Sequence, residues 1–128
     1  VRELFAAAEE RGVFIMEAMW TRFFPLTQAL QSVLHRDKLV GDIVRVFADF
    51  GLDMDIKNLG PESRLKNRVL GAGSLLDIGI YSLTWGLLCL DEGIGEKAET
   101  PRVTSFQTLA DRVDTTSSIL LFYPKTGR

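Results

Sequence analysis

The sequence is poor in the residues that build metal and redox sites. Among 128 residues there is one cysteine and one histidine. A lone Cys89 can form no intrachain disulfide and rules out a Cys-rich zinc site, and His35 alone does not rescue a metal site. Charge of one sign is also scarce. Seventeen acids against 15 bases leave a net charge of -2, and the isoelectric point is near 5.4. No basic field exists to attract a phosphate backbone or an anionic bilayer, so neither nucleic acid nor a membrane is an expected partner. Long hydrophobic runs are missing too. The stretch from Ile78 to Leu90 carries no charge but falls short of the roughly 18 to 20 residues of a membrane-spanning helix, and it reads as a buried core helix. Arg2, Glu3, Glu9, Glu10 and Arg11 interrupt any apolar run that could serve as a signal peptide, which makes a reducing cytoplasmic location the expectation.

What is present is domain-like: 46% of the residues are hydrophobic, 25% charged and 9% aromatic. A chain of this size is expected to bury roughly two thirds of the surface its unfolded form exposes. Val1, Leu4, Phe5 and Ala8 fall on one helical stripe that Gly12 should end. Val13-Phe14-Ile15-Met16 follows at once and reads as a short strand buried on both faces of a parallel sheet. Such a strand needs neighbours, which nothing upstream of Val1 supplies. The expectation is therefore an N-terminally truncated chain whose first 20 residues close a larger α/β domain.

A second helix is expected from Pro25, with Leu26, Ala29, Leu30, Val33 and Leu34 on one face and His35 to Lys38 at its end. Residues 43–50 alternate like a half-exposed strand, with Val44, Val46, Ala48 and Phe50 on one side. Periodicity then vanishes from Gly51 to Val69, a long surface loop ending in the basic triplet Arg64, Lys66 and Arg68; loops of that length are usually lids or binding loops. Leu75 to Leu90 reads as a strongly apolar helix and Asp91 to Thr100 as a polar connector. Pro101 to Thr108 and Thr115 to Tyr123 read as strands, followed by a turn at Pro124 to Gly127 that should launch another. That unfinished pattern suggests truncation at the C-terminus as well.

Gly71-Ala72-Gly73 invites a dinucleotide-binding reading, but Leu76 stands where that motif needs its third glycine and no strand precedes it. The pair of glycines better suits a tight approach to the helix, or a ligand lying close to bare backbone. Ser74 and Asp77 have capping-box spacing. Asp77, Tyr81 and Trp85 stand at i, i+4 and i+8, so a carboxylate, a phenol and an indole share one line of an apolar helix. Burying all three is expensive without partners, which admits either a satisfied core helix or an active site. Tyrosine could move a proton at a carbinol or carbonyl, but phenols ordinarily titrate near 10, so that role needs a neighbouring cation. Trp20 and Arg22, at the end of the expected parallel strand, could face a cofactor ring and a polar group; packing of the aromatics at that junction is the plainer alternative.

The blocks EAMWTRFFP (Glu17 to Pro25) and LGAGSLLDIGIYSLTW (Leu70 to Trp85) resemble those of the glucose-fructose oxidoreductase/inositol dehydrogenase/MocA family. The resemblance implies an α/β chain: the trailing helix and strand of a Rossmann domain over residues 1–20, then, over residues 21–128, an incomplete substrate and dimerisation domain. That second domain would be an open mixed β-sheet with helices on one face, pairing with a second copy through the sheet. It further implies Tyr81 as proton donor or acceptor, Asp77 as its support, and Trp20 and Arg22 near the nicotinamide of NADP (or NAD). The substrate would be a polyol or sugar, D-xylose-like or a trans-dihydrodiol. The family's glycine fingerprint and its Glu-Lys-Pro block would lie before Val1, so the chain alone is expected to be inactive. A non-catalytic, sheet-mediated oligomerisation module or pseudo-enzyme remnant is the alternative.

Overall fold

The computed structural model describes residues 1–91 and 98–128. Most of the connector expected between Asp91 and Thr100 thus lies outside the described residues. The first apolar stripe forms helix α1, Arg2–Arg11. It stops at Gly12, whose φ of 62° is a left-handed geometry open to a residue without Cβ. The Gly12 and Val13 amides donate to the last free carbonyls of the helix, those of Glu9 and Ala8.

Past Gly12 the structure corrects the reading. Val13 to Met16 forms no strand, and Phe14 is 87% exposed. A strand exists only as a paired object, and no strand among the described residues lies beside this one. The same holds for residues 43–50, which alternate as a strand should but remain irregular, with Val44 and Phe47 exposed. The open mixed sheet is accordingly replaced, among the described residues, by a two-stranded antiparallel one.

Helix α2, Pro25–Gln31, begins on its proline, where a missing amide leaves no helical bond unmade. It runs on through a wide π-type turn, Ser32–Arg36. The long loop is present as expected, relieved only by 3₁₀ turns at Ile56–Asn58 and Arg68–Leu70. A second π-type turn, Leu75–Gly79, leads directly into α3, Ile80–Leu90, so the expected apolar helix forms. By length and mean hydropathy of 1.4, Arg68–Leu90 would pass for a membrane span. The positive φ angles of Gly71 and Gly73 break it, however, leaving an unbroken helix about 24 Å long, shorter than a bilayer core of about 30 Å.

The two C-terminal strands appear as read: β1, Arg102–Ala110, and β2, Val113–Phe122. They pair antiparallel, Val103 opposite Leu121 and Phe106 opposite Ser118. Asp111 and Arg112, at φ 52° and 64°, make the tight turn whose twist matches that of paired strands. Aspartate tolerates this geometry; arginine there costs roughly 1–2 kcal/mol. Replacing Arg112 with glycine should therefore raise the urea midpoint by the equivalent of about 1 kcal/mol, with an unchanged slope.

Thr108 pairs with Thr116 but Leu109 pairs with Asp114, so Thr115 is an extra residue, a β-bulge. A bulge shifts the alternation by one position and turns Asp114 toward the side of Ser117. Ser117, Ile119 and Leu121 on that side are half-buried, whereas Thr116, Ser118, Leu120 and Phe122 on the other are exposed.

The accessible surface totals 10217 Å². A compact monomer of this mass exposes about 6,800 Å² and its unfolded chain about 20,700 Å². The chain therefore buries about half of its surface, not two thirds. Among the described residues, few apolar side chains are buried: Ala8, Met19, Leu88, Val113 and Tyr123.

Candidate active site

The helical spacing of Asp77, Tyr81 and Trp85 carries into three dimensions. All three open onto one cavity of about 450 Å³. Trp20 and Phe24 close a second side, with ring centroids 5.9 Å apart, and Thr21 lies between them in the lining. The third side comes from Asp49 and Phe50, at the end of the irregular segment 43–50, and from Leu52, Met54 and Arg64 of the long loop. Phe50 meets the Tyr81 ring nearly edge-on at 5.5 Å, a favoured aromatic geometry that holds the phenol in place.

Arg22 is not brought into this lining. It occupies the 3₁₀ turn Trp20–Phe23, where neighbouring residues point in different directions, so the sequence motif delivers Trp20 to the cavity and Arg22 elsewhere. Arg64, one of the basic triplet at the end of the long loop, faces Asp77 as an ion pair and hydrogen bond. Nothing in the spacing of Arg64, Lys66 and Arg68 distinguishes the one that folds back. The Asp77 side chain is 23% exposed and that of Arg64 65%, so a mostly solvated cation reaches in to a more sheltered carboxylate.

The capping box does not form. Asp77 is engaged by Arg64, and Ser74 makes no cap bond of its own. The cap comes from Asp114, far along the chain. Its Oδ2 accepts hydrogen bonds from the Leu75 amide at 2.7 Å, the Ser74 hydroxyl at 2.7 Å and the Ser117 hydroxyl at 3.0 Å. Partial burial pushes this carboxyl up, but the bonds from Leu75, Ser74 and Ser117 outweigh it and hold it below the ordinary aspartate range.

The opposite end of α3 is tied down separately. The His35 ring lies 2.8 Å from the Leu88 carbonyl, and the buried Tyr123 hydroxyl donates to Asp91 at 3.3 Å. Cys89 is half-buried, and that burial pushes its thiol up. Among the described residues no group of three or more His, Cys, Asp or Glu is placed to hold a metal ion.

The site thus joins an anchored phenol, an arginine-paired carboxylate and aromatic walls, an arrangement suited to proton transfer at an uncharged hydroxylated molecule. Comparison with known proteins finds relatives that are oxidoreductases, in agreement with the family resemblance of the two sequence blocks. The relatives are trans-1,2-dihydrobenzene-1,2-diol dehydrogenases. The Sus scrofa protein is 42% identical over 124 residues, covering 97% of this chain and 34% of its own length. The Homo sapiens and Bos taurus proteins are 41% and 40% identical over the same extents. The chain spans about a third of the length of the curated relatives it matches. No family model and no solved structure matches it.

Proposed function

We propose that this chain forms the substrate side of an NAD(P)-dependent dehydrogenase that oxidises a carbinol of a neutral diol or sugar. The observation that carries the reading is the shared face of Asp77, Tyr81 and Trp85 on an aromatic-walled cavity, in a chain homologous to enzymes named for diol oxidation. In this reading Tyr81, held as a phenolate by a cation from the nucleotide-binding side of the whole enzyme, takes the proton from the substrate hydroxyl oxygen as hydride leaves the carbinol carbon. Asp77 accepts a hydrogen bond from the neighbouring hydroxyl while Arg64 keeps its carboxylate aimed. Trp20, Phe24 and Phe50, exposed in this chain, offer apolar faces for the substrate to cover, which favours the unsaturated carbocycle of a trans-dihydrodiol over the polar pyranose ring of D-xylose.

NADP (or NAD) would supply hydride acceptance at its nicotinamide carbon. The residues present fit one end of that cofactor. Trp20, 61% exposed and lining the cavity, offers an indole face to a nicotinamide. A cradle for the phosphates is not offered at Gly71-Ala72-Gly73, because the Asp114 carboxylate fills the helix terminus there. Residues 1–20 accordingly belong, in this proposal, with the nucleotide-binding side. The exposed hairpin face of Phe106, Leu120 and Phe122 supports pairing with a second copy, an assembly that the rival oligomerisation-module reading would also use.

The test is a chimera in which this chain replaces the matching segment of the Sus scrofa enzyme. NADP-linked oxidation of a trans-dihydrodiol is expected, with slower turnover of D-xylose. A chimera that binds NADP yet oxidises neither would sink the proposal and leave the oligomerisation module.

A further inference from the structure

We propose that Asp114 is a positioning residue for the site helix. Turned inward by the bulge at Thr115, its carboxylate occupies the N-terminal end of the helix in space left open by Gly73. The bearing of this on turnover rests on the dehydrogenase reading above; the structural claim does not.

Three observations converge. The register shift between Thr108 and Leu109 sets Asp114 on the side of the hairpin that carries Ser117, so that the two side chains bond at 3.0 Å. Regular alternation would have sent Asp114 to the solvent face with Thr116 and Ser118. Second, the carboxylate captures an amide and a hydroxyl at the helix start, those of Leu75 and Ser74, where unpaired amides and the helix dipole favour an anion. Third, a Cβ built on Gly73 would collide with the Asp114 carboxylate. Gly73 is buried and holds a φ of 129°, so the glycine and the aspartate are a matched pair.

The network extends outward as well. Gln107 of β1 donates to the Ser117 hydroxyl at 3.0 Å, which in turn donates to Asp114. Both strands of the hairpin are thereby linked to Leu75, and Asp77 lies two residues further along. Asp77, Tyr81 and Trp85 keep their height and rotation against the cavity only while the helix start is fixed. The glycine pair of the sequence thus does accept an anion close to bare backbone, and that anion belongs to the protein itself.

Amide hydrogen exchange in the 128-residue chain tests the claim. Asp114→Asn should speed exchange at Leu75 at least tenfold while the Ile119 and Leu121 amides of β2 change by less than twofold. Equal acceleration at all three positions would mean that Asp114 serves general stability only, and would overturn the proposal. A double-mutant cycle adds a second criterion. Gly73→Ala displaces the carboxylate, so it should raise the unfolding equilibrium constant far less in an Asp114→Ala background than in the native one. Additive losses would overturn the pairing. In the chimeric dehydrogenase, Asp114→Asn should reduce kcat about tenfold with KM within about threefold. A chimera already inactive without this substitution would refute the dehydrogenase reading and leave the exchange and cycle results standing.

Discussion

Tyr81→Phe in the chimeric dehydrogenase should lower kcat by about 10²- to 10⁴-fold, the range of a lost general acid–base group, with KM changed by less than about threefold. The ring that remains should not move. Tyr81 is half-buried and its edge contact with Phe50 involves the ring rather than the hydroxyl. Substrate would still meet Trp20, Phe24 and Trp85, so binding is preserved while the proton at its hydroxyl loses its acceptor. A loss confined to kcat is the mark of an interaction made only in the transition state. Steady-state kinetics with the dihydrodiol decide the matter, and a phenylalanine enzyme retaining full turnover would remove Tyr81 from the chemistry.

Tyr123→Ala should abolish cooperative folding of the isolated chain. Tyr123 is 2% exposed and is the largest of the fully buried side chains among the described residues. Truncating such an aromatic costs about 3–5 kcal/mol, against a net stability of about 5–15 kcal/mol for domains that bury far more. The expected result is loss of the urea transition in far-ultraviolet circular dichroism at 25 °C. Tyr123→Phe keeps the packing and removes only the bond to Asp91, at about 1 kcal/mol. It should also alter the alkaline limb. Burial first, then the charge and hydrogen bond of Asp91, push the Tyr123 phenol up from 10.0 to about 12. Its ionisation is thus harder in the folded chain, and the stability present below pH 10 is lost as pH rises toward 12. The phenylalanine variant should lack that loss.

The elements legible in the sequence are those whose cause is local. Gly12 ends α1 through its own φ, Pro25 opens α2, and the β-rich stretches on either side of Asp111-Arg112 pair with each other across a short turn. The line of Asp77, Tyr81 and Trp85 follows from helical spacing alone. Val13 to Met16 and residues 43–50 failed because hydrophobic pattern specifies a face to be covered, not the strand that covers it. Arg64 and Asp114 were invisible for a related reason. Each acts through one contact with a distant residue, and Asp114 also depends on a one-residue bulge that leaves no mark in composition. Ser74 and Asp77 had the spacing of a local cap, yet each found a more distant partner. The likeness to oxidoreductases came from the two sequence blocks and their relatives; the walls of the cavity came only from the fold.

The large accessible surface, 10217 Å², has a calorimetric consequence. Heat capacity of unfolding scales with the surface newly exposed, and a typical chain of this length would show about 1.7 kcal/mol/K. With about half of its surface buried rather than two thirds, this one should show about 1.3 kcal/mol/K. Its stability curve is therefore flatter, its urea slope shallower and its melting broader than those of a compact domain of equal mass. A partner that covered Phe106, Leu120 and Phe122 would sharpen the melt as well as raise its midpoint, so the width of the transition itself reports how much of the hairpin face is in contact.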